Sequence, residues 1–318
     1  MQIFLCCFQP FAAAAIVLPA APFGVPATAF WIYVCALLVF LPGFVTILKE
    51  LPQEQGVDKI MPVGRLFFAI PMAVFGSEHF TLTSVIADMV PSWIPAHTFW
   101  VYLVGLGFLC GALSIAVRVQ ARLAAALVGM TLFIFVCVMD VPAAVADPRD
   151  RFAWALALRE LAFSSGALAF AMTPWSVGPG HQSAIRPMTA WLVFPRCSVG
   201  LASLVYGVEH LLHPAYVPGI PLRKLTPEWI PGRLFLSYFV GVVLILAGAC
   251  LLVNKKPRIA ATSLGLTILL TMLWIYLPML LATPTDLIAL NYFFDTLLFC
   301  GAILLLANAI DKTAVARR

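Results

Sequence analysis

Charge is scarce in this chain. Lys, Arg, Asp and Glu make up 10% of its 318 residues while 63% are hydrophobic, whereas a water-soluble domain carries charge at about a quarter of its positions. That shortage excludes a sizeable soluble domain and leaves lipid as the solvent for most of the chain. A Walker loop, a Gly-x-Gly-x-x-Gly turn after a strand and a Ser-His-Asp style motif are all missing, which argues against ATP-driven transport and soluble dehydrogenase chemistry. Eight cysteines are present, but none forms a Cys-x-x-Cys pair, and Cys35, Cys110, Cys137, Cys250 and Cys300 lie inside apolar stretches. They read as small core residues rather than redox or metal ligands. The net charge of +5 comes from basic residues in short loops, with no patch interleaved with aromatics, so nucleic acid is not an expected partner.

What is abundant is apolar runs of bilayer length. Hydropathy with loop charges as punctuation predicts spans near 30–48, 63–82, 97–117, 122–142, 152–173, 194–213, 233–253, 259–281 and 289–309. Helices are required, because a chain in lipid must satisfy its backbone polar groups internally and no alternating barrel pattern competes. The segment Met1 to Ala21 is apolar but lacks the positive start of a secretory signal and contains Pro10 and Pro19; it reads either as an extra span or as none. Lys49, Lys59, Arg118, Arg122, Arg186, Lys255, Lys256, Arg258, Lys312, Arg317 and Arg318 fall on one side of this topology, against Arg149, Arg151, Arg223 and Lys224 on the other. The positive-inside rule makes the first side, with the C-terminus, cytoplasmic.

An internal repeat organises the chain. An offset of 131 superposes Arg65 on Arg196, Gly76 on Gly207, Glu78 on Glu209 and His79 on His210. After a five-residue insertion the offset becomes 136, and Trp93-Ile94-Pro95 falls on Trp229-Ile230-Pro231, Gly105 on Gly241, Gly129 on Gly265, Pro142 on Pro278 and Asp150 on Asp286. The expected fold is an all-α integral membrane protein with two parallel tandem four-helix transmembrane bundles and at least one N-terminal transmembrane helix. Its divisions are an N-terminal hydrophobic segment 1–60 with a span at 30–48, a first unit 61–173, a linker 174–193, a second unit 194–309 and a cytoplasmic tail 310–318. An even number of spans per unit makes the repeats parallel, unlike the inverted repeats of many transporters.

An ionisable residue inside a span is costly and therefore a functional candidate. At about 1.5 Å per residue, Glu78 lies roughly 20 Å from the cytoplasmic end of its helix and Arg159 roughly 10 Å from the opposite end of its own. In a core about 30 Å thick these depths coincide. The first unit's layer comprises Glu78, His79, Arg159 and Glu160 with Asp140 near the rim; the second's comprises Glu209, His210, Asn291 and Asp295 with His213 and Tyr276 near the rim. Two readings stay open. The groups pair as glue between helices, or the Glu-His pairs handle protons or hold the polar head of a bound redox molecule. In the first unit Arg159 can neutralise Glu78, while in the second Glu209 and Asp295 repel unless a proton or cation is shared. That asymmetry makes the second unit the expected seat of chemistry. Neither a metal nor a haem is expected, since nothing brings His79 and His210 together. The Trp-Ile-Pro segments read as interfacial anchors, with a lid over a cavity as the alternative.

The pattern of Arg65 with Gly76-Ser77-Glu78-His79, repeated as Arg196 with Gly207-Val208-Glu209-His210, a proline-bearing loop and three further helices resembles the DoxX and DoxD-like membrane proteins. The resemblance covers roughly 61–173 and 194–309; family members usually hold one such unit, so the tandem form is a departure. It implies a bacterial inner-membrane protein, in some members a subunit of a thiosulfate:quinone oxidoreductase or a partner of redox enzymes. The expectation is a redox-system component that binds a quinone-like molecule, with Glu78, His79, Glu209 and His210 as candidate ligand or proton contacts and Arg159, Glu160 and Asp295 as their partners. No other cofactor is implied. A two-repeat transporter and a non-catalytic scaffold are the alternatives.

Overall fold

The computed structural model describes residues 25–53, 56–173, 190–220 and 223–315. The question of an extra span in 1–21, and most of the linker, fall outside those residues. Nine long helices make up the described chain: α1 (Ala27–Glu50), α2 (Ile60–Thr81), α3 (His97–Val117), α4 (Ala121–Ala146), α5 (Arg151–Ala171), α6 (Val193–Leu212), α7 (Arg233–Leu252), α8 (Pro257–Ala282) and α9 (Leu287–Val315). Among the described residues the only β pairing is an isolated bridge between Tyr216 and Leu225.

Seven of the helices are long and apolar enough to cross a membrane. The two that fall short of that apolarity, α5 and α6, have similar lengths but carry Arg159 with Glu160, and Arg196 with Glu209, within their turns. Outward-facing leucines such as Leu38, Leu123, Leu127 and Leu246 are more than half exposed. A surface this apolar fits hydrocarbon and not water.

Local chemistry sets the helix ends. Asp150 caps α5 by accepting the Phe152 N–H at 2.9 Å, and Asp286 does the same at α9 for Ile288 at 3.1 Å. The entries to α3 and α7 are left-handed at Ala96 and Gly232, and the turns before α4 and α8 are left-handed at Arg118 and Gln120, and at Asn254 and Lys256. Each of these positions lies 136 residues from its counterpart. So do the π-helical turns Val136–Asp140 in α4 and Met272–Tyr276 in α8.

Packing is governed by small residues that let backbones approach. Gly76 of α2 faces Gly105 of α3, where an added Cβ would sit 3.0 Å from the Gly105 carbonyl; Gly207 of α6 faces Gly241 of α7 with 2.6 Å at the same place. The helices form a closed circuit in the order α2, α3, α4, α5, α6, α7, α8, α9, with α9 returning to α2 and α5 meeting α9 across the middle. Thus the last helix of each set of four packs on the first helix of the other set: α9 on α2, and α5 on α6. Gly166 of α5 abuts the backbone of Ala302, and Gly301 of α9 abuts that of Phe68. Helix α9 is the central element, with 83% of its most apolar stretch buried, whereas α1 is peripheral at 22%. Glu50 fastens α1 in place by accepting two hydrogen bonds of 3.0 Å from Arg65 and one of 2.9 Å from Arg118.

Candidate functional site

The exchange of last helices decides where the polar residues meet. Because α9 lies against α2 and α5, Asn291 and Asp295 enter the neighbourhood of Glu78, His79, Arg159 and Glu160, and one shared layer replaces the two separate layers expected from sequence. Asp295 accepts a short ion-paired hydrogen bond from Arg159 Nη1, and Glu160 Oε1 lies 3.6 Å from Arg159 Nη2. The pairing of Arg159 with Glu78 expected from sequence is not made. Glu78 instead has the Asn291 side chain as its polar neighbour, and its Oε1 has no hydrogen-bond partner among the described residues. Glu78, Arg159, Glu160 and Asp295 are each less than a tenth exposed. Asp140, on the π-turn of α4, is also buried and within electrostatic reach of Arg159 and Glu160. Three carboxyl groups, those of Asp295, Glu160 and Asp140, therefore act on one guanidinium, and Glu78 lies within electrostatic reach of Asp295.

His79 is oriented by its own helix. Its Nδ1 is 2.7 Å from the Phe75 carbonyl, and a carbonyl can only accept, so Nδ1 carries the hydrogen and Nε2 of the neutral ring is an acceptor. The ring stands edge-on to Phe108 with centroids 5.5 Å apart. Among the described residues no group hydrogen-bonds Nε2.

These residues line part of a cavity of about 970 Å³ bounded by α2, α3, α4, α5, α9 and the loop before α3. Elsewhere its wall is apolar and rich in aromatic rings, including Phe75, Phe108, Phe135 and Phe163. The loop residues Ile94 and Pro95 and, in the turn before α4, Gln120 also line it. An added Cβ at Gly107, which also lines the cavity, would meet nothing within 4 Å. Such a volume with a few convergent polar groups is the usual form of a small-molecule site.

The second set of helices is built differently. Glu209 is half-buried and pairs with Arg151 of α5 at 2.8 Å, with His213 Nε2 at 3.9 Å. It does not face Asp295, so the repulsion expected between them does not arise. His210 is wholly buried, but its Nε2 accepts the Gly219 N–H at 2.7 Å. The Tyr276 hydroxyl donates to the Pro218 carbonyl at 2.6 Å, and Val217 and Ile220 are buried on either side. The two Glu-His pairs thus serve separate environments, and the open cavity lies beside the first pair, contrary to the preference for the second. Among the described residues no group of three or more His, Cys, Asp or Glu side chains is arranged to hold a metal ion. Trp93 and Trp229 are 73% and 58% exposed, as interfacial anchors would be.

Residues 68–177 match a family described as a domain of unknown function, DUF8561. The matched stretch begins inside α2 and ends just beyond α5, so it contains Glu78, His79, Asp140, Arg159 and Glu160. No curated protein and no solved structure matches the chain.

Two features of the site were not legible in the sequence. The partners contributed by α9 were assigned to the wrong layer, and the cavity itself left no composition signal. A signal did exist for the difference between the two sets: the five-residue insertion that separates the two repeat offsets lies in the loop that fills the second set.

Proposed function

We propose that this protein is a multi-pass component of a bacterial inner-membrane redox system that binds a quinone-like lipophilic molecule in the cavity bounded by α2–α5 and α9. The carrying observation is the cavity of about 970 Å³ whose largely apolar wall includes Glu78, His79, Arg159, Glu160 and Asp295. An apolar tail would lie among the Phe side chains, and a polar head would reach the carboxyl groups. A bilayer interior disfavours three uncompensated negative charges, so the carboxyls that Arg159 does not balance are suited to hold and pass protons to such a head.

In this reading the nine long helices all span the membrane, α2–α5 and α6–α9 are parallel tandem repeats, and the basic face with the C-terminus is cytoplasmic. The helix ends, π-turns and left-handed residues that recur at an offset of 136, and the resemblance of the Arg65 and Glu78-His79 pattern to DoxX-like proteins, support it. Single cysteines introduced at 149 and 255 would test the orientation, the first labelling from outside intact cells and the second only after permeabilisation.

The direct test is extraction and mass spectrometry of lipophilic molecules carried by the purified protein, with titration of decylubiquinone under both reducing and oxidising conditions. Saturable binding that Glu78→Gln and Glu160→Gln weaken is the expected result. No saturable binding in either form, and no effect of either substitution beyond stability, would overturn it. Because the cavity wall includes both Pro95, before the start of α3, and Gln120, beyond its end, transport is the second reading. Uptake or efflux by the protein in vesicles, abolished by Glu78→Gln, would favour it.

A further inference from the structure

The loop between α6 and α7 occupies the place that is open in the first set of helices. Gly219 lies against His210 Nε2, and a Cβ built on it would be 3.7 Å from Thr296, 3.7 Å from the Tyr276 hydroxyl and 3.9 Å from Ile268. By the repeat offsets these residues correspond to His79, Glu160, Asp140 and Leu132. His79, Glu160 and Leu132 all line the open cavity. The plug is firmly seated: Val217 and Ile220 are buried, Pro218 accepts from Tyr276, and the Lys224 N–H donates to Tyr292 at 3.0 Å.

We propose that the Val217–Ile220 segment is a built-in occupant of a second, latent cavity, and that its Gly219–His210 hydrogen bond shows what the open cavity requires. The ligand of the first set is a lipophilic molecule whose polar head donates an O–H or N–H to His79 Nε2. This rests on the reading of the cavity as a quinone-type site and sharpens it: the reduced, hydroxyl-bearing form is the one held. His79 supports the assignment independently, since its Nδ1 is spent on the Phe75 carbonyl and its remaining nitrogen can only accept.

The test compares anaerobic binding of decylubiquinol and decylubiquinone to the full-length protein in lipid nanodiscs. The two probes share one scaffold and differ in the hydroxyl hydrogens. The quinol is expected to bind about five- to tenfold more tightly, the effect of one buried hydrogen bond, with one molecule per chain. His79→Phe, which keeps an aromatic ring, should erase the difference between the two forms. Equal affinity of both forms for the unaltered protein would overturn the donor requirement while leaving the cavity reading intact. Absence of binding by either would overturn that reading and this inference with it. The plug has its own readout, because the Gly219 amide should exchange with deuterium slowly and His210→Phe should speed it by at least about tenfold. Fast exchange in the unaltered protein would refute the plug.

Discussion

Replacing Asp295 with leucine tests whether the polar layer is shared between the two sets of helices. Arg159 and Asp295 are 6% and 7% exposed, so the leucine leaves a guanidinium charge in the protein interior. Breaking a buried pair from one side costs about 3–5 kcal/mol. Glu160 Oε1, 3.6 Å from Arg159 Nη2, recovers part of this by closing on the vacated charge. A net loss of about 2–4 kcal/mol follows for Asp295→Leu. Replacing Arg159 with methionine in the same chain removes the stranded charge, and a buried ion pair exchanged for apolar groups of similar volume is close to neutral. The double variant should therefore lie within about 1 kcal/mol of the unaltered protein. Reversible unfolding in mixed micelles, followed by circular dichroism against the mole fraction of denaturing detergent, measures the unaltered protein, Asp295→Leu, Arg159→Met and the double variant. If the double variant loses the sum of the single losses, the two side chains do not act on each other and the shared layer is wrong.

Glu78→Gln keeps shape and the Asn291 neighbour while removing a carboxylate whose Oε1 has no partner, so stability should hold or rise by up to about 1 kcal/mol even as quinol binding weakens, which pairs unfolding with titration on one sample. Gly207→Ala drives a methyl to 2.6 Å from the Gly241 carbonyl and should cost about 1–3 kcal/mol by forcing α6 and α7 apart, visible as a lower melting temperature. Gly107→Ala meets open space and should be neutral or stabilising by up to about 1 kcal/mol, whereas Gly107→Trp should fill the cavity and abolish binding without unfolding the protein. Arg151→Ala breaks the pair with Glu209, but the arginine is 31% exposed, so a loss under about 1 kcal/mol is expected in the same unfolding assay.

The helical architecture was readable from composition and run length because lipid leaves few alternatives. The predicted 97–117 and 233–253 match α3 and α7 to within a residue, since charged or proline-bearing loops bound them sharply. The depth arithmetic also placed Glu78, Arg159 and Asp295 at one level. It did not say who faces whom. A leucine toward lipid and a leucine toward another helix are alike in hydropathy, so the sequence holds little record of rotation about a helix axis or of which helix is the neighbour. The assignment of Asp295 to Glu209 assumed that each four-helix set closes on itself, while α9 in fact leaves α6 for α2 and α5. The filling of the second set depends on where Val217 and Ile220 point, which the length of an insertion alone cannot reveal.

Arg159 and Asp295 stand 136 residues apart, at matching places on α5 and α9, and they touch. Two identical chains meeting about an axis bring the same residue to it from both sides, so an arginine would meet an arginine and an aspartate an aspartate. Joining the halves covalently lifts that restriction and lets opposite charges occupy the meeting point. Either half taken alone holds only one member of the pair, the arginine or the aspartate, and lacks the opposite charge that it meets here. The charge balance of the polar layer is thereby tied to a single polypeptide that carries both residues.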